Sequence, residues 1–83
     1  MPLGPDLLKL IQKKYAPTSV VELRYKRYDL TLKTDEAGDA ILLFIGKRGT
    51  DGAIKGERYV RTLITGEDGR RIKDHWDLKG RAS

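Results

Sequence analysis

The sequence predicts an α+β domain in which one amino-terminal helix packs on a four-stranded antiparallel β-meander with a curved sheet. Three observations predict it. Residues 6–15 repeat apolar side chains at helical spacing, the later chain replaces that period with alternation and apolar runs, and glycine-bearing strings separate the runs. A chain of 83 residues makes one domain, 1–83. At this size folding hides only about 60% of the unfolded surface, so the core has little to spare.

Leu7, Leu8, Ile11 and Tyr15 form the apolar stripe of the helix at 6–15. Asp6 suits its amino end and Lys13 and Lys14 its carboxyl end through the helix dipole, and Pro17 stops it. About ten residues are marginal as an isolated helix, so this one must dock on something apolar. In the first strand, 19–34, apolar residues occupy odd positions at Val21, Leu23 and Tyr25, then even ones at Tyr28, Leu30 and Leu32. One extra residue near Lys26-Arg27 restores the facing, which predicts a β-bulge there.

The second strand, 40–48, holds the longest unbroken apolar run, Ala40 to Ile45. It is too short to cross a membrane and reads as a strand buried on both faces. Strands at 55–65 and 70–79 follow, and 80–83 reads as a polar tail balancing a short lead-in at 1–5. Glu36-Ala37-Gly38 predicts a three-residue hairpin, and Asp51-Gly52 and Asp68-Gly69 predict two-residue turns. These turns pair Leu32 with Leu42, Leu30 with Phe44, Phe44 with Tyr59 and Arg61 with Trp76. One face then takes Leu30, Leu32, Leu42, Phe44, Tyr59, Leu63, Ile72, Trp76 and Leu78, and the helix belongs on it. Ile41, Leu43, Ile45, Val60 and Ile64 are left on the other face, with Lys33, Lys73, His75 and Asp77 at its rim. In element order this resembles the cystatin-like and other helix-grip folds; no family motif accompanies the order, and it implies no function.

Composition narrows the chemistry. The chain has no cysteine, so a disulfide, a thiolate metal site and a catalytic thiol are all excluded. No secretory leader pattern and no membrane-spanning run is present, so a cytoplasmic protein without membrane contact is expected. The net charge of +5 invites a polyanionic partner, yet acidic residues interleave the basic ones nearly everywhere and only 34–46 is net acidic.

Three local strings invite a sharper reading. Gly46-Lys47-Arg48-Gly49-Thr50-Asp51-Gly52 has glycines beside cations, but a phosphate-binding Walker loop needs glycine where Ile41 stands and Ser or Thr where Arg48 stands. Gly46-Lys47-Arg48-Gly49 resembles the GxxG loop of KH domains, which joins two helices rather than following a strand. Turn glycines alone explain the string. Arg24-Tyr25-Lys26-Arg27-Tyr28 mixes cations with aromatics, but alternation sends the tyrosines inward. Lys73-Asp74-His75-Trp76-Asp77 gathers the single histidine and single tryptophan, with no nucleophile or metal set beside them. Asp74 falls among the core-facing residues, where Arg61 is its ion partner. No catalytic residue, cofactor or metal ligand is assigned.

The expectation is therefore a non-enzymatic interaction module that forms a homodimer through Ile41, Leu43, Ile45, Val60 and Ile64, rimmed by Lys33, Lys73, His75 and Asp77. The alternative is a nucleic-acid-binding domain using Lys26, Arg27, Lys47, Arg48, Arg58 and Arg61 with aromatic stacking.

Overall fold

The computed structural model describes residues 4–82; residues 1–3 of the lead-in and Ser83 of the tail lie outside them. Helix α1 (Pro5–Ile11) opens on a proline at its first turn, where the missing N–H costs no helical hydrogen bond. It ends four residues earlier than its apolar stripe, because the next residues dock elsewhere. The Lys14 ammonium sits 2.9 Å from Asp39. The Tyr15 backbone N–H donates to Gly38 O at 2.9 Å, and its hydroxyl turns back to donate to Leu10 O at 2.7 Å.

Five strands follow, β1 (Val20–Tyr25), β2 (Tyr28–Thr34), β3 (Ala40–Arg48), β4 (Ile54–Thr65) and β5 (Arg71–Ala82), all antiparallel and side by side in chain order. The class is as expected; the strand count is not. The stretch 19–34 is a hairpin of two strands, with Tyr25 opposite Tyr28 across a turn made of Lys26 and Arg27. A two-residue turn and a one-residue bulge shift the apolar phase equally, so periodicity alone does not separate them. Lys26 adopts φ 56°, a conformation usually left to glycine or asparagine, which is why no turn residue marks the spot. At the other end of this hairpin the Thr34 hydroxyl accepts from Ser19 N at 2.8 Å and donates to Ala16 O at 2.7 Å. The expected tail is strand as well, since β5 continues through Ala82.

The three later hairpins share one design. Backbone N–H groups of Asp35, Gly49 and Gly66 donate to the carbonyls of Asp39, Ala53 and Arg70, closing three-residue loops. Each loop ends in a left-handed glycine, Gly38, Gly52 or Gly69, with φ of 85°, 85° and 81°.

Register decides which side chains meet the helix. After the first of these hairpins Thr34 pairs with Ala40, but Lys33 pairs with Leu42, so Ile41 is an extra residue in β3. From there Leu43 faces Leu32 and Ile45 faces Leu30. The loop of three rather than two residues before β4 then moves the phase back, setting Leu43 opposite Tyr59. The two shifts cancel for β4, and in β5 the three-residue loop at 67–69 is offset by Ile72, an extra residue between Arg71 and Lys73, so that Arg61 faces Trp76 as expected. Only β3 is turned over. Leu43 and Ile45, expected on the uncovered face, lie in the core at 0% and 3% exposure, and Leu42 and Phe44 take the outside.

Leu7 and Ile11 of α1 are fully buried against Leu30, Leu32, Ala40, Leu43, Ile45 and Tyr59. Ile72, the unpaired extra residue of β5, and Leu78, which the short helix does not reach, both expected beneath the helix, are exposed at 69% and 53%. Gly46 faces Gly56 where β3 and β4 approach so closely that a Cβ on either would collide with the opposite backbone.

The inverted strand gives a direct prediction. Leu43→Ala deletes a fully buried side chain and should cost about 2–5 kcal/mol, whereas Leu42→Ala on the half-buried outer side should cost under about 1 kcal/mol. Urea unfolding of the two variants checks this, and equal losses would contradict the register.

Candidate functional site

The side of the sheet away from α1, the outer face, is the surface the fold leaves open. Alternation places Thr31 and Lys33 of β2, Leu42 and Phe44 of β3, Arg58, Val60, Thr62 and Ile64 of β4, and Lys73, His75 and Asp77 of β5 there. Leu42, Phe44 and Val60 are half-buried, and Ile64 is 46% exposed. The Lys33 ammonium stands 5.9 Å from the Phe44 ring centre, within cation–π range. At the β5 side His75 Nε2 lies 2.8 Å from Asp77 Oδ1.

One corner of this face is roofed by the chain itself. The Arg48 guanidinium reaches β2 and the following loop, donating to Leu30 O at 3.0 Å, Thr31 Oγ1 at 3.2 Å and Gly52 O at 2.9 Å. Its backbone N–H donates to Asp29 Oδ2 at 2.9 Å. These bonds fold the β3–β4 loop onto the sheet. Ile54 is thereby buried, and Thr31, Phe44, Gly52, Ala53 and Ile54 line a shallow apolar hollow of about 180 Å³.

Beneath the sheet, on the helix side, Arg61 is the only cation in the described core, its side chain 0% exposed. Asp74 receives it in a two-pronged pair, Nε to Oδ1 at 2.6 Å and the second nitrogen to Oδ2 at 2.7 Å. The third nitrogen donates to Ala40 O at 3.2 Å, and the guanidinium lies 5.6 Å from the Trp76 ring centre. Hydrogen bonding from Arg61 holds the Asp74 carboxyl below the usual carboxylate range against the opposing effect of burial, with added attraction from Arg71. Burial raises the Tyr15 and Tyr59 hydroxyls, the latter with help from the Glu57 charge.

The structure thus gathers Lys33, Val60, Ile64, Lys73, His75 and Asp77 on the outer face, with Ile41 half-buried at the bulge beside them. Leu43 and Ile45 leave that set for the core; Leu42 and Phe44 replace them. The alternation of the apolar run could not distinguish the two pairs, because both are leucine or large apolar residues.

The basic set disperses. Arg61 is sealed in the core, Arg48 is spent on the loop, and Arg58 faces outward opposite Phe44. Lys26, Arg27 and Lys47 stay exposed at one end of the sheet, where Lys55, which sequence reasoning passed over, lies directly across from Lys47. Among the described residues no three metal-ligating side chains converge, and no helix is long and apolar enough to cross a membrane. Comparison with protein-family models, curated proteins and solved structures finds no match to this chain.

Because the folded Asp74 carboxyl has the lower pKa, the folded state binds fewer protons there than the unfolded chain does. The stability from this pair is complete above the unfolded carboxyl range, about pH 4, and is lost as pH falls through the folded value. Asp74→Asn leaves Arg61 buried without its counter-charge and should cost about 3 kcal/mol at neutral pH. Its stability should also fall less steeply than the wild type's on going to pH 3, as read by urea midpoints at both pH values.

Proposed function

We propose that this chain is a cytoplasmic, non-enzymatic interaction module that pairs with a second copy of itself through the outer face of its sheet. The observation that carries the reading is the order of residues along one level of that face. Lys33, Leu42, Val60 and Asp77 stand abreast on β2, β3, β4 and β5. A two-fold axis parallel to the strands, between β3 and β4, sets Lys33 against the second copy's Asp77 and Leu42 against its Val60. On the next level it sets Phe44 against the second copy's Arg58, a cation–π partner. Neither level brings like charges together.

Packed sheets align to within about 30°, which displaces Lys33 from its opposite number by only about 4 Å. A lysine side chain absorbs that. Five strands spaced ~4.8 Å apart give a face about 20 Å across, near the small end of specific interfaces, so the pair should exchange in the micromolar range.

Sedimentation equilibrium at about 100 micromolar should show dimer. Lys33→Asp and Asp77→Lys should each shift the chain to monomer, and the double swap should restore the dimer. A wild-type monomer at that concentration, or a double variant no better than the singles, would overturn the reading.

A further inference from the structure

We infer that the end of the sheet carrying the β1–β2 turn binds the phosphodiester backbone of a single-stranded nucleic acid. This goes beyond the pairing proposed above, since the residues lie at the sheet's end and on the helix side. Three observations converge there. Lys47 and Lys55 face each other directly across β3 and β4, a like-charge cross-strand pair that weakens the sheet unless an anion joins it. Lys26 and Arg27 form the neighbouring turn, both exposed. Among the described residues, none of these four cations stands within ion-pair distance of a carboxylate.

The aromatic component comes from the same row. Tyr25 pairs with Tyr28, and continuing the β2–β3 register puts Tyr28 beside Lys47 and so in line with Lys55. Both tyrosines are half-buried, each anchored on the core with part of its ring open. Lys26 stands 5.3 Å from the Tyr25 ring centre. Four strands at ~4.8 Å spacing make a row about 14 Å long, with cations to hold phosphates and rings to stack bases. The acidic stretch at Asp35, Glu36 and Asp39 lies at the opposite end of β2 and β3, so it does not neutralise the row. Glu57, one level inward, faces Arg81.

Fluorescence anisotropy with labelled oligothymidylate at low salt tests this. Four phosphate contacts to a single strand predict a slope of log affinity against log salt of about −2.8, and Arg27→Gln should reduce its magnitude by about 0.7. Lys55→Glu turns the like-charge pair into an attractive one, so its melting temperature should stay level or rise while affinity falls about tenfold or more. That separates loss of binding from loss of fold. Arg70→Gln, at the opposite end of the sheet, should keep wild-type affinity. No binding at low salt would overturn the inference. So would an equal loss in Arg70→Gln, tighter binding to phosphatidylserine vesicles, or competition by inorganic polyphosphate as strong as by the oligonucleotide.

Discussion

A strand has only two phases, and β3 is apolar in both. Whichever phase meets α1 becomes core, and the other must remain on the surface, because the described chain contains one helix of seven residues and no second element to cover it. The bulge at Ile41 makes that choice. It sends the slender Leu43 and Ile45 inward, beneath Leu7 and Ile11, and sends the broad Phe44 outward. The arrangement suits the helix, which packs on branched aliphatic residues, and leaves outside the ring that the Lys33 ammonium approaches at 5.9 Å.

The helix covers β2 and β3 and stops short of β5. Charge takes over where apolar cover ends. Asp39 is shared by Lys14 at 2.9 Å and Arg71 at 3.3 Å, and Arg71 reaches Asp74 at 3.6 Å, the same carboxylate that holds Arg61. This chain of pairs ties the segment after α1, the β2–β3 hairpin, β4 and β5 into one network. Its value is uneven: the Lys14 side chain is largely exposed and its contact is screened by water, whereas the buried Arg61 depends on Asp74 for its charge to be tolerated. The network therefore acts more as a demand for one geometry than as a source of stability.

Much of this is legible in the sequence. The amphipathic stripe located the helix, the glycine strings located three of the four hairpins, and the diagonal placement of Asp74 and Arg61 anticipated their pair. What escaped had a physical reason in each case. The Lys26-Arg27 turn uses a lysine in the left-handed region, so no glycine announced it. Hairpins closed by three residues and by two share the same Asp-Gly signature at Asp51-Gly52 and Asp68-Gly69, and one residue is enough to reverse a face. The bulge at Ile41 falls inside an uninterrupted apolar run, where no polar residue reports a change of phase. Alternation in the sequence consequently matches the facing of β4 and inverts that of β3.

The strands lie in space in the order in which they occur in the chain. Every strand-to-strand pairing is between sequence neighbours joined by a tight loop, so no long segment has to be brought back before the next strand can add. Such local closure favours fast folding and allows the sheet to grow one hairpin at a time. The exceptions are the bridge between Lys14 and Asp39 and α1, which shares one buried cluster with Leu43 and Tyr59 far along the chain. Docking of α1 is therefore the step that turns a ladder of hairpins into a single cooperative unit, and before that moment the sheet would have a central strand, β3, open to water on two apolar faces.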